Sequence, residues 1–175
     1  GESIDDSIRG LKALKKIEVY AVSDLLELVY SKMDFVIVNM DKQGEALAFN
    51  GYSVFQENRM IDFIPVEESR GLIWIIGENI ERLYMVPFDG AEATVKVKMK
   101  SKRIIPRYEN GHVRFDLKFG FESSVAYLNK NVKFDDQIQQ TVKRQLIKAI
   151  LDDLTEAVRH SKAIQCDYLQ LRDYF

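Results

Sequence analysis

Apolar residues recur at spacings of four and three over residues 4–16 (Ile4, Ile8, Leu11, Leu14), which predicts a short amphipathic helix. Ser23 reads as the N-cap of a second helix, "DLLELVYSKM", whose buried stripe is Leu25, Leu26, Val29 and Met33. The pattern then changes to that of strands. Residues 34–40 form one and 45–55 another, with a turn at 41–44 between them. Gly51 falls inside the second strand and marks a bulge or a close backbone approach. A turn at 57–59 leads to a strand at 60–64.

The next stretch, "VEESRGLIWIIG", is ambiguous by period alone, because five apolar residues in a row suit a buried strand or a buried helix. The flanks favour a helix. Pro65 suits a first turn, Glu67 and Glu68 would sit where the helix dipole favours carboxylates, and Gly77 suits the residue after the end. Gly71 would then lie in mid-helix at a cost of about 1 kcal/mol against alanine, which close packing would explain.

Further on, 82–88 reads as a strand and 89–90 as a turn. Residues 93–100 alternate, with Val95, Val97 and Met99 on one face and Lys96, Lys98 and Lys100 on the other. The apolar phase moves to even numbers at Ile104 and Tyr108, so a bulge is expected near 101–103. An Asn-Gly turn at 109–111 closes a long ribbon whose second strand turns Val113, Phe115, Leu117, Phe119 and Phe121 to one side. Asp135 caps a helix reaching about Ala163, with Ile138, Val142, Leu146, Ile150, Leu154 and Val158 as its stripe. The tail, "QCDYLQLRDYF", reads as a short strand or turn leading to an exposed end. The order predicts an α+β fold: a mainly antiparallel or mixed sheet, a long C-terminal helix packed across it, and shorter helices at the N-terminus and mid-chain. Residues 1–22 form a lead-in and 23–175 one domain.

The 175 residues suffice for a full core without staples, and the one cysteine, Cys166, excludes an intrachain disulfide. A net charge of -2 gives no global pull towards nucleic acid. No apolar run is long enough to cross a bilayer, and the isolated chain is expected to be soluble. His112, His160 and Cys166 lack ligand or nucleophile partners at useful spacing, so they read as two solvated imidazoles and a small buried thiol, and neither cofactor nor metal is expected. Phosphate loops, dinucleotide fingerprints and nucleophile elbows are missing from the sequence. Adjacent Glu67 and Glu68 diverge on a helix and do not form an acid/base pair. One feature carries charge in a pattern. Lys96, Lys98, Lys100, Lys102 and Arg103, with Arg107, Arg114 and Lys118 nearby, form either a solvent-facing ribbon protected from aggregation or a patch facing anionic lipid or an acidic partner.

"GYSVFQENRMIDFIPVEESRGLIWIIG" resembles the C-terminal domain of the spore germination Ger(x)C family. Gly51, Ser53, Phe55, Ile61, Glu67 or Glu68, Gly71 and Gly77 carry the likeness, and "VKVKMKSKRIIPRYENGHVRFDLKF" is similar to that family's ribbon. Asp167, after the long helix, matches a family aspartate. The resemblance covers roughly residues 23–171. It implies a third, lipid-anchored subunit of a nutrient germinant receptor, without established enzymatic chemistry. Such a subunit sits on the outer face of the spore inner membrane beside two integral-membrane subunits, held by an anchor upstream of this chain. Gly51, Phe55, Glu68, Gly71, Trp74, Gly77 and Asp167 are then scaffold, with Trp74 filling the core or anchoring a partner. The alternative is a hydrolase of spore-envelope material, which the lack of a nucleophile or metal constellation disfavours.

Overall fold

A computed structural model describes residues 20–44, 46–129 and 134–175. The helix expected over 4–16 lies outside them. Among the described residues six strands form two antiparallel three-stranded sheets. The first holds β1 (Phe35–Gln43), β2 (Ala46–Gln56) and β3 (Arg59–Pro65), in that order. The second holds β4 (Glu81–Phe88), β5 (Ala91–Glu109) and β6 (His112–Leu128). Among the described residues the helices are α1 (Val22–Tyr30), α2 (Arg70–Ile76) and α3 (Asp136–Ala163), with a 3-10 turn at Leu171–Tyr174. The α+β class and the long C-terminal helix agree with the sequence pattern.

Three hairpins close on pairs of residues with positive φ: Glu57 and Asn58, Asp89 and Gly90, and Asn110 and Gly111. Two-residue turns with this conformation match the right-handed twist of the strands they join. In β2, Asn39 faces Gly51 but Met40 faces Phe49, so Asn50 is the extra residue of a bulge. Gly51 has φ +138°, and a Cβ there would lie 2.1 Å from the Ile64 carbonyl oxygen. Glycine is therefore required on both counts. In β5, Met99 pairs with Phe121 and Ser101 with Gly120, which makes Lys100 the extra residue, just before the expected 101–103.

Helix α3 follows its stripe. Asp135 accepts a hydrogen bond from the Ile138 N–H at 3.0 Å. Val142, Leu146, Ile150 and Leu154 are buried, with Ala157 and Ser161 continuing the line. At about 1.5 Å per residue the helix is about 42 Å long. It packs on α2 and β4. One core joins both sheets, α2, α3 and the tail, and α2 supplies Leu72, Ile73, Trp74 and Ile75 to it.

Several local expectations are corrected. The N-cap of α1 is Ala21, whose N–H donates to Asp24 Oδ2 at 3.0 Å, and Ser23 lies inside the helix. No residue of α1 is buried: Leu25, Val29 and Met33 are half-buried and Leu26 is exposed, so the expected stripe is only partly covered. Strand β1 runs on to Gln43, past the start of the expected 41–44 turn. Pro65 ends β3 and does not begin a helix. Turns at 66–69 follow, α2 starts at Arg70, and Gly71 sits in its first turn. Glu67 and Glu68 are therefore exposed loop residues outside the helix. Gly77 ends α2 in an extended conformation, not a left-handed one. It is glycine because a Cβ would approach Ile73 O at 2.6 Å and Ile80 Cγ1 at 2.7 Å. The tail is turns, with Cys166, Tyr168 and Leu169 buried in the core.

Candidate functional site

The cationic strand splits between two faces. Along β5, Ala93, Val95, Val97 and Met99 are buried, while Lys96 and Lys100 are exposed. After the Lys100 bulge, Lys102 joins the inner face, where it pairs with Phe119. Its ammonium donates to the carbonyls of Ile75, Ile76 and Gly77 at 2.9, 3.3 and 3.0 Å. Lys102 therefore leaves the proposed patch: it caps the C-terminus of α2, where the helix dipole favours a cation. The one-residue phase change at the bulge is the signal that separates it from its neighbours.

The other cations share the outer face. Lys96 reaches Glu81 at 2.9 Å and Lys100 reaches Glu122 at 2.6 Å. The Lys100 hydrogen bond holds the Glu122 carboxyl below the usual range. Further along the ribbon, Arg107 binds Asp116 at 2.6 Å and Arg114 binds Glu109 at 3.2 Å. Arg103 stands directly opposite Lys118.

Behind this sheet lies a buried polar chain. Trp74 is fully buried, its indole N–H donates to Tyr84 Oη at 2.8 Å, and Tyr84 donates to Asp153 Oδ2 at 2.7 Å. Three elements, α2, β4 and α3, are thereby joined. The Arg70 guanidinium lies over the Tyr84 ring, 5.9 Å from its centre. Burial is the main cause that raises the Asp153 pKa, against the lowering pull of the Tyr84 bond, Arg70 and Arg82. Gly71 sets the distance between the helices: a Cβ there would lie 1.9 Å from the Asp153 carbonyl oxygen. Trp74 also packs edge-on against Phe121 at 5.0 Å. It fills the core.

A second network fixes the tail. Asp167 accepts from the Leu171 and Arg172 N–H groups at 3.1 and 2.9 Å, and from Arg172 Nε at 3.2 Å. Buried Asp34 accepts from Arg172 Nη2 at 3.2 Å. Cys166 is buried beside it, and burial, with nearby Asp34, pushes the thiol up to about 12. His160 is not the solvated imidazole expected. Its Nδ1 lies 2.9 Å from Tyr168 Oη and its Nε2 lies 3.0 Å from Asp62 Oδ2. Phe55 stacks on Phe35 at 5.2 Å. Thus Gly51, Phe55, Gly71, Trp74, Gly77 and Asp167 hold separate parts of the scaffold, and Glu68 is exposed apart from them. They do not converge on one cavity. Asp34, Tyr84 and Asp153, which sequence reasoning missed, have partners 133, 10 and 69 positions away, so no local spacing could reveal them.

Between α3 and β6 runs an apolar groove of about 660 Å³, walled by Leu117, Phe119, Phe121, Ile147, Ile150 and Leu151. Among the described residues no group of His, Cys, Asp and Glu is arranged to hold a metal, and no helix is long and apolar enough to cross a membrane.

Residues 50–175 match the family described as "Spore germination B3/ GerAC like, C-terminal". Among solved structures, the crystal structure of the GerBC protein matches with a TM-score of 0.71 and 14% sequence identity. The match covers 89% of this chain and 50% of that one, so the chain spans about half the length of GerBC. No curated protein matches by sequence.

Proposed function

Since the chain belongs to the spore germination B3/GerAC-like family, we propose that it is a domain of the third, non-catalytic subunit of a nutrient germinant receptor. The family match over residues 50–175 carries this reading, and the GerBC-like fold agrees with it. In this reading the domain acts in germination by protein–protein contacts with two integral-membrane subunits. The longer protein is held on the outer face of the spore inner membrane by a lipid anchor upstream of this domain. The buried ionisable groups support a scaffold role: Asp153 and Tyr84 join helices to sheet, and Asp34 and Asp167 clamp the tail. The cations Lys96, Lys98, Lys100 and Arg103 are the candidates for the surface turned to a partner.

Co-purification of the full-length protein with its membrane subunits, with and without residues 50–175, tests the reading. Removal of the domain should abolish the association and germination. Retention of both would overturn it.

A further inference from the structure

We propose that the outer face of the second sheet docks an acidic segment of a partner protein that also carries apolar residues. This rests on the receptor-subunit reading and adds the face and the chemistry of its partner.

The register defines the surface. Met85 of β4 pairs with Thr94 of β5, which pairs with Tyr127 of β6, and in the next row Leu83 pairs with Lys96. Leu83, Met85 and Tyr127 are 63%, 70% and 64% exposed. Neighbouring strands lie about 4.8 Å apart, so these side chains adjoin one another around Thr94. Single exposed apolar residues are ordinary, but a patch gathered across three strands of a sheet face is the form of an interface core. The buried helices lie on the opposite face, against Tyr84 and Val86.

The cationic end of the same face states the partner's charge. Arg103 is opposite Lys118, and Arg107 is opposite Arg114. Like charges directly across a strand pair are destabilising. The second pair is relieved by Asp116 and Glu109. Arg103 and Lys118 have no ion-pair partner among the described residues. A carboxylate placed between them would relieve the repulsion. Glu81 and Glu122 stand between this pair and the apolar patch, bound to Lys96 and Lys100. A uniformly anionic lipid plane would meet those two carboxylates as well. A protein segment can set its acidic residues opposite Arg103 and Lys118 and its apolar ones on Leu83, Met85 and Tyr127.

Two double variants of the full-length protein, Arg103→Glu with Lys118→Glu and Leu83→Asp with Met85→Asp, test the face in co-purification with the membrane subunits. Each should lower recovery by about tenfold or more. Lys143→Glu with Arg144→Glu, exposed on α3, should leave it unchanged. Urea melts of each variant should match wild type, since all these side chains are exposed. A photo-crosslinker at position 85 should join a peptide rich in Asp or Glu. If loss of residues 50–175 breaks the association but the face variants do not, this inference fails and the receptor reading stands. If loss of the domain has no effect, both fail. A crosslink to lipid, to a second copy of this chain, or to a segment without carboxylates also overturns the inference.

Discussion

Asp34, at the start of β1, accepts a hydrogen bond from the backbone N–H of Asp167 at 2.7 Å, across 133 positions of sequence. The same oxygen accepts from Arg172, so one carboxylate ties the first strand to the tail after the last helix. Asp34→Ala should lower stability by about 2 kcal/mol, because it leaves the Asp167 N–H without its acceptor and Arg172 with Asp167 as its one remaining carboxylate. Urea denaturation gives the value. An unchanged midpoint would mean that water replaces the carboxylate at no cost.

Gly71→Ala should destabilise the domain by about 3 kcal/mol, despite a gain in helix propensity of about 1 kcal/mol. The Asp153 carbonyl, 1.9 Å from the new Cβ, is backbone of a long helix and cannot turn aside. Calorimetric melting of the variant beside wild type decides the sign. A higher melting temperature would show that α2 and α3 separate easily.

Tyr84→Phe keeps the ring and removes both the bond from Trp74 and the bond to Asp153. Loss of two buried contacts should cost about 2–3 kcal/mol. Near-ultraviolet circular dichroism should also change, since the Trp74 indole loses its acceptor. Wild-type spectrum and stability together would remove the polar chain from any account of the core.

Asp153 also gives stability a pH dependence. A carboxyl whose folded pKa is raised binds its proton more tightly when folded, so its contribution is fully present below the unfolded value, about 4, and is lost as pH rises through the folded one. Burial raises the Asp153 pKa. As pH falls from neutral towards 4, wild type should therefore gain stability relative to Asp153→Asn. Parallel stability curves for the two proteins across that window would contradict the direction.

Lys102→Met should destabilise the domain by about 1 kcal/mol, because the carbonyls at the end of α2 lose a charged donor. Lys98→Met, on the outer face, should change stability by less than about 0.5 kcal/mol. Urea melts of the pair check whether the bulge at Lys100 divides the lysines as described. Equal effects would return Lys102 to the exposed set.

The elements were legible where one face is buried and the other wet. The alternation of Val95, Val97 and Met99 and the four-residue stripe of α3 state burial directly, and the turns at Asp89 and Asn110 state their own chirality. Helix α2 was found with its end at Gly77, but its start was placed five residues early, because Pro65 is as acceptable at a strand's end as at a helix's start. The stripe of α1 looked like a core face, yet period shows only that a helix is amphipathic, not that a neighbour covers it. Site residues divide in the same way. Gly51 and Gly71 signal close approach by their cost. Tyr84 and Asp153 are ordinary residues in their own elements, and only the fold brings them together.

Buried Cys166 has a further consequence for observing the protein. It is the one cysteine in the chain, and its thiol, at about 12, is almost wholly protonated at neutral pH. Alkylating reagents attack the thiolate, so modification must wait until the tail detaches from Phe55 and Asp34. The rate of labelling therefore works as a clock for that single opening. Read with and without a bound partner, it reports, without any introduced cysteine, whether an event on the outer face of the second sheet is felt at the end of the chain.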